Sequence, residues 1–112
     1  MVDAKSFERV IIEGTRAGLI VRFASSKIFA ADEIQAIGRE LLSAADVAVS
    51  IDMPLILSFQ GVEDISAALL AKITLLRKKT RSHGIKMLVS DISPALRETI
   101  RKTMGDEGMA LG

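Results

Sequence analysis

Four short apolar segments control what this chain can fold into, because the stretches between them decide how strands can pair. Residues 8–13 and 18–23 predict two strands, and the intervening residues 14–17 fit the turn of a β-hairpin. Residues 55–59 and 85–90 predict two more strands, each preceded by a segment with helical spacing. A strand–helix–strand connection joins parallel strands. The sequence therefore predicts an α/β fold, with a mixed four-stranded sheet that begins with a β-hairpin and carries its helices mainly on one face.

A first helix is predicted after the hairpin, where apolar residues recur at helical spacing. Asp32 would cap its amino end, with Gln35 as the capping-box partner, and the helix would end near Ala45. Residues 46–54 fit either a strand or a linking segment, since apolar residues alternate there but Pro54 is tolerated only at the start of a strand.

Two later helices have clear terminal signals. One is predicted from Ser66 to about His83, followed by Gly84 in the left-handed position that often ends a helix. The other is predicted to begin after Ser93, which would cap it, and to end at Gly105.

The composition indicates a globular protein with one domain over residues 1–112. Apolar residues make up 49% of the chain and charged residues 26%, which is enough apolar material for a single core. The amino-terminal segment lacks the apolar core of a secretory signal, and no apolar run approaches the roughly 20 residues that span a bilayer. The expectation is a cytoplasmic protein without direct membrane insertion.

The residue types that most catalytic chemistry needs are scarce. The chain has no cysteine and one histidine, His83, which its place at a basic helix end explains as an exposed residue. Glu63 and Asp64 are adjacent, and a solvated loop explains them better than an acid–base pair, because neighbouring side chains diverge. The glycines match neither common nucleotide-binding loop. A non-enzymatic protein without a cofactor is therefore predicted.

Nucleic acid is also an unfavourable partner for this chain. The formal net charge is +1, and the chain contains no tyrosine or tryptophan on which bases could stack. The basic run at residues 77–86 is explained by the favourable placement of cations at the carboxyl end of a helix. No nucleic-acid partner is expected.

Ser66 is the residue with the most open interpretation. It stands where an apolar strand has passed through Gly61 into a helical pattern, so its side chain can cap the helix. Ile65 and Leu70 occupy the positions of a hydrophobic staple around that cap. A helix amino terminus also accommodates a phosphate or a partner's carboxylate. Capping and phosphorylation of Ser66 therefore both remain as interpretations.

Two stretches of the chain carry a resemblance to a known family. The segments LILSFQGVEDISAALLAKI and HGIKMLVSDISPALRETIRKT, together with the order of elements, resemble a STAS domain, the fold of anti-sigma-factor antagonists. The resemblance covers about residues 8–104. It implies a STAS-like sheet and a partner-binding domain that docks an anti-sigma-factor-like kinase or another regulatory protein through its strand–helix junction. Many members of the family are switched off by phosphorylation at that junction.

The chain departs from the family at the phosphorylated position. The usual junction reads Asp-Ser-Ser/Thr-Gly-Leu, and its second hydroxyl residue accepts the phosphate. With the register set by Gly61-Val62 and Ser93-Pro94, the corresponding residues are 66–70 and Ala68 stands at the acceptor position. A shift of two residues would instead place Asp64 on the aspartate and Ser66 on the acceptor. The first register predicts a binding module without the usual serine phosphoswitch, and the second leaves Ser66 as a phosphorylation site.

The resemblance places the partner-binding site at residues 61–72. The predicted contact residues are Glu63, Asp64, Ser66, Ala67, Ala68 and Lys72. The topology of the family adds Ser25, Ser26 and Lys27 from the loop after the second strand. The predicted function is a bacterial signalling module that binds a protein partner, with self-association into a homo-oligomer left open. A soluble STAS subunit of a membrane transport system is the alternative, and a small enzyme or nucleotide binder is the third.

Overall fold

The computed structural model of the chain describes the backbone of residues 9–109 and the side chains of residues 9–102. The strands are β1 (Val10–Gly14), β2 (Leu19–Phe23), β3 (Lys27–Ile28), β4 (Leu55–Ser58), β5 (Asp64–Ile65) and β6 (Met87–Ser90). The helices are α1 (Ala31–Ile51), α2 (Ala67–Ser82) and α3 (Pro94–Met109). The predicted start of the first strand at Glu8 lies outside the described residues.

The main sheet confirms the predicted mixed topology. Its four strands lie in the order β1-β2-β4-β6, with β1 antiparallel to β2 and the other neighbours parallel. The hairpin closes through paired backbone hydrogen bonds between Thr15 and Gly18, at 2.9 and 3.3 Å. Gly18 has φ +151°, and a Cβ atom there would lie 2.5 Å from the carbonyl oxygen of Pro54. Only glycine therefore lets the hairpin turn approach the chain that enters β4.

One face of the sheet forms the core together with the helices. Alternate residues of β2 and β4 point to that face and are buried, and the rings of Phe23 and Phe59 stack there with centroids 5.0 Å apart. Helix α1 packs against α2 and against β1, β2 and β4. The opposite face is more exposed, with Ile11 56% and Leu88 46% accessible. The prediction that the helices lie mainly on one face is confirmed.

Helix α1 differs from the prediction at both ends. It continues to Ile51 and ends at Asp52, which has φ 54°, so the predicted end near Ala45 is wrong. Residues 41, 44, 45 and 48 are buried at helical spacing. Burial of this alanine-rich stripe favours the helix more than the alternation of the neighbouring β-branched residues favours a strand. Ala30 stands at the N-cap position without a side-chain cap, and Asp32 lies in the first turn. The predicted capping by Asp32 is therefore also wrong.

Helices α2 and α3 begin as predicted. Ser66 caps α2, and Ser93 caps α3 by accepting a hydrogen bond from the Leu96 amide at 3.1 Å. Gly84 follows the end of α2 with φ 73°, the predicted left-handed conformation. Helix α3, however, continues through Gly105 to Met109, because a glycine costs a helix only about 1 kcal/mol and does not by itself end it.

A second, two-stranded sheet was not predicted. Strands β3 and β5 pair in parallel, with Lys27 opposite Asp64 and Ile28 opposite Ile65. This short ladder ties the chain that follows β2 to the chain that precedes α2. It therefore brings two separate parts of the predicted site together.

Candidate functional site

The predicted site occupies the connection between the carboxyl end of β4 and the amino end of α2. The chain turns after Phe59, whose carbonyl accepts a hydrogen bond from the Val62 amide at 3.0 Å. Val62 and Ile65 are buried and anchor the connection to the core, while Glu63 between them is exposed. The junction thus follows the edge of the core and is anchored to it at two positions.

Backbone hydrogen bonds hold the loop after β2 against this junction. The carbonyl of Ser26 accepts from the amides of Glu63 at 2.7 Å and Asp64 at 3.3 Å. The Ser66 amide donates to the Ile28 carbonyl at 3.0 Å. Residues 26–28 therefore lie beside the predicted contact residues Glu63, Asp64 and Ser66, which precede α2. The Ser25 hydroxyl instead donates to Glu33 at 2.6 Å.

Ser66 acts as the N-cap of α2. Its hydroxyl oxygen accepts a hydrogen bond from the Leu69 amide at 3.3 Å, and its carbonyl accepts from the Leu70 amide at 3.3 Å. Ile65 and Leu70, the predicted staple pair, are both buried in the core. A serine cap contributes about 1 kcal/mol to helix stability, so this role alone accounts for Ser66.

The first turn of α2 presents only small side chains at its surface. Ala67 and Ala68 are exposed, and so is Ala71 one turn further on. Leu69 and Leu70, which lie between them, face inward and are buried. The result is a low surface, meaning one without long side chains, on which another protein can approach the helix backbone closely.

Lys72 connects this surface to helix α1. Its ammonium group donates to the side-chain oxygen of Gln35 at 3.4 Å. Its aliphatic part crosses Gly38, where a Cβ atom would lie 2.7 Å from the lysine Cδ atom. The two helices border a cavity of about 230 Å³ beside this lysine, which Leu42 and Leu75 also line with exposed side chains. Gln35 is thus a partner of Lys72 instead of a capping-box residue.

The carboxylates of the junction have different surroundings. Glu63 is exposed, whereas Asp64 is half-buried and its side chain accepts a hydrogen bond from the Ile65 amide at 2.9 Å. His83 is exposed at the far end of α2, where its ring lies 2.9 Å from the Lys79 carbonyl oxygen. These placements agree with the interpretation of all three as solvated or locally bonded residues.

A polar cluster beside the junction was not recognised in the sequence. The buried hydroxyl of Ser58 donates to the carboxylate of Asp91 at 2.9 Å, and Ser90 donates to the same oxygen at 3.1 Å. Asp91 has φ 60°, a left-handed conformation that is uncommon outside glycine and that asparagine and aspartate adopt more often than other residues do. The available sequence signal is the repeated ending of two parallel strands in serine, since Ser58 and Ser90 are register partners.

This cluster borders a cavity at the carboxyl ends of β4 and β6. The cavity measures about 400 Å³ and has Phe59, Gly61, Val62, Glu63, Asp91, Ser93 and Ala95 along its walls. In open α/β sheets, binding sites commonly lie outside the carboxyl ends of the parallel strands. The surface that surrounds the junction therefore extends from α1 to the start of α3.

The sheet order and the capped strand–helix junction define an α/β domain with a mixed sheet that begins with a hairpin. The family model of the STAS domain matches residues 4–109, and the chain belongs to the STAS domain family. A search of curated proteins finds no match. Across residues 9–109, no helix combines the length and the apolar character that spanning a bilayer requires.

Membership of this family gives a coarse functional class. STAS domains commonly occur in anti-sigma-factor antagonists and in transporters, and they are generally non-catalytic binding modules. Protein–protein interaction is accordingly the general mode of action of the family.

Proposed function

We propose that this chain is a non-enzymatic protein-interaction module of bacterial regulation, which docks a partner protein through residues 61–72. It resembles anti-sigma-factor antagonists and signalling scaffolds in this role, and it acts in the cytoplasm as one domain. The observation that carries the proposal is the exposed, low surface formed by Ala67 and Ala68 on the first turn of a capped helix. Glu63, Asp64 and Lys72 surround this surface and supply charges that can select the partner.

The docking surface is tested by placing a charged, bulky group at its centre. Because Ala68 is exposed, Ala68→Glu is expected to leave folding intact and to weaken partner binding by about 100-fold, as a buried unpaired charge does in an interface. Wild-type and variant chains serve as baits in the source organism's lysate. Captured proteins are identified by mass spectrometry, purified and measured for direct binding by calorimetry.

Ala17→Glu is the matched control for this experiment. Ala17 is also exposed, and it precedes β2 at the end of the sheet opposite to the junction. A regulatory kinase-like partner that binds wild type and Ala17→Glu equally but not Ala68→Glu supports the proposal. Equal binding to all three folded chains would show that the docking surface lies elsewhere. A transporter component captured in the same way would favour the soluble subunit of a transport system.

The absence of a phosphoswitch is a separate part of the proposal. In the register that places Ala68 at the acceptor position, the chain has no hydroxyl to phosphorylate there, and the Ser66 hydroxyl already accepts the cap hydrogen bond. We expect no phosphate on residues 66–70 after incubation with the cognate kinase and ATP, measured by intact mass and peptide mapping. Ala68→Ser restores a hydroxyl and is expected to become phosphorylated. Stoichiometric phosphate on Ser66 of the wild-type chain would instead support the shifted register.

A further inference from the structure

A third cavity lies at the other end of α2, away from the proposed docking surface. It measures about 380 Å³ and is formed by Arg77, Thr80, Arg81, Gly84, Ile85, Lys86, Met87 and Leu88. Helix α2 covers the core face of the sheet, whereas Leu88 pairs with Ile56 on the opposite face. Because its walls include residues from both sides of β6, the cavity runs along the outer edge of that strand.

The edge of β6 has backbone groups that the main sheet leaves unpaired. Strand β6 is the last strand of the sheet, and its only neighbour among the described strands is β4. The carbonyls of Lys86 and Ser90 point toward β4, where they accept from the Leu55 and Phe59 amides at 2.9 Å each. Since backbone groups alternate in direction along a strand, the amide and carbonyl of Met87 and of Val89 point outward. An open edge of this kind can pair with one more strand.

The cavity is also strongly and uniformly charged. Arg77, Arg81 and Lys86 line it, and no carboxylate of the described residues does so. None of these three cations takes part in an ion pair of the described side chains, in contrast to Lys79, which contacts Asp46 at 2.9 Å on the neighbouring helix. Positive charge from the carboxyl-terminal part of α2 and from the residue before β6 therefore lies beside the same open strand edge.

We propose that this edge binds an extended acidic segment of a partner protein, which adds to the sheet as a fifth strand beside β6. The backbone of the segment pairs with the outward amides and carbonyls of Met87 and Val89. Its carboxylates contact Arg77, Arg81 and Lys86, and these charges set the preference for an acidic sequence. The proposal is independent of docking at residues 61–72, because the two surfaces lie at opposite ends of α2.

The binding test uses the full chain and a fluorescein-labelled ten-residue peptide of alternating glutamate and valine. Binding is measured as the increase in fluorescence anisotropy of the peptide. The peptide is expected to bind, and the same peptide with lysine in place of glutamate is not. The double variant Arg81→Glu, Lys86→Glu is expected to weaken binding by at least about tenfold. Lys78→Glu is the matched control, since Lys78 is exposed on the same helix but does not line the cavity, and it should change affinity by less than about twofold.

Strand addition is tested separately from charge. Met87→Pro removes an outward amide and is compatible with an edge strand, so it should reduce binding by about tenfold or more. On the wild-type chain, the peptide should slow hydrogen exchange of the Met87 and Val89 amides, a measurement that does not depend on how the proline variant folds. Ala68→Glu should bind the peptide as wild type does, which separates this proposal from the function proposed above.

Three results would overturn the proposal. The first is the absence of peptide binding at low salt. The second is binding without protection of the Met87 and Val89 amides from hydrogen exchange, which would indicate non-specific electrostatic attraction instead of strand addition. The third is equal competition by inorganic phosphate at the concentrations at which the peptide binds, which would identify a small-anion site.

Discussion

Replacing Leu69 with glycine is expected to lower the free energy of unfolding by about 3–6 kcal/mol, a large share of the stability of a domain of this size. Leu69 is fully buried in the core, so its loss leaves a cavity beneath the first turn of α2. Truncation of a buried leucine to alanine costs about 2–5 kcal/mol, and glycine adds about 1 kcal/mol through its low helix propensity. The measurement is urea unfolding followed by circular dichroism.

Two further variants separate the contributions to this effect. Leu69→Ala retains the helix propensity and isolates the cavity, while Ala71→Gly changes an exposed residue of the same helix and should cost only about 1 kcal/mol. If Leu69→Gly cost no more than Ala71→Gly, Leu69 would not support the core. In the register set by Gly61-Val62 and Ser93-Pro94, Leu69 would stand where the usual STAS junction has glycine, and its burial predicts that glycine at this position destabilises the core of this chain.

Replacing Asp91 with alanine is expected to cost about 2–4 kcal/mol, although the side chain itself is exposed. The carboxylate accepts a hydrogen bond from the buried hydroxyl of Ser58, which donates to no other group among the described residues. An unsatisfied buried donor costs about 1–3 kcal/mol. Alanine must also adopt the left-handed conformation of residue 91, φ 60°, at a cost of about 1 kcal/mol.

Asp91→Gly and Asp91→Asn distinguish these two causes. Glycine tolerates the backbone conformation but supplies no acceptor, so it should be about 1 kcal/mol less damaging than alanine. Asparagine tolerates the conformation and retains a side-chain oxygen, so it should be close to wild type. Thermal unfolding and urea unfolding of the four chains give the comparison. Equal stability of the alanine and asparagine variants would contradict both causes.

The features that could be predicted from the sequence are those that depend on neighbouring residues. The hairpin follows from two apolar runs separated by a short turn, and the start of α2 follows from a serine cap with a staple pair around it. The ends of the helices were less well predicted where two local signals compete. The alternation of Val47, Val49 and Ile51 resembles a strand, but burial of the alanine stripe against the core extends α1 to Ile51.

The residues of the site were only partly predictable, because some are neighbours in the sequence and others are brought together only by the fold. Ser66, Ala67 and Ala68 are consecutive, so a family motif and a cap signal identify them together. The association of residues 63–66, just before the helix, with residues 26–28 depends on two strands of two residues each, which are too short to have a recognisable pattern. Nothing in the local sequence links Ser58 to Asp91, which are 33 positions apart.

The sequence by itself determined the order of the three helices and of the four strands of the main sheet, the cap of α2 and the small residues on its first turn, because each depends on local propensity and hydrophobic spacing. The tertiary structure decided the length of α1, the pairing of β3 with β5, the Ser58–Asp91 hydrogen bond and the open, basic edge of β6. These depend on which distant surfaces become buried together, and the free energy of that burial outweighs local preferences that amount to at most about 1 kcal/mol per residue.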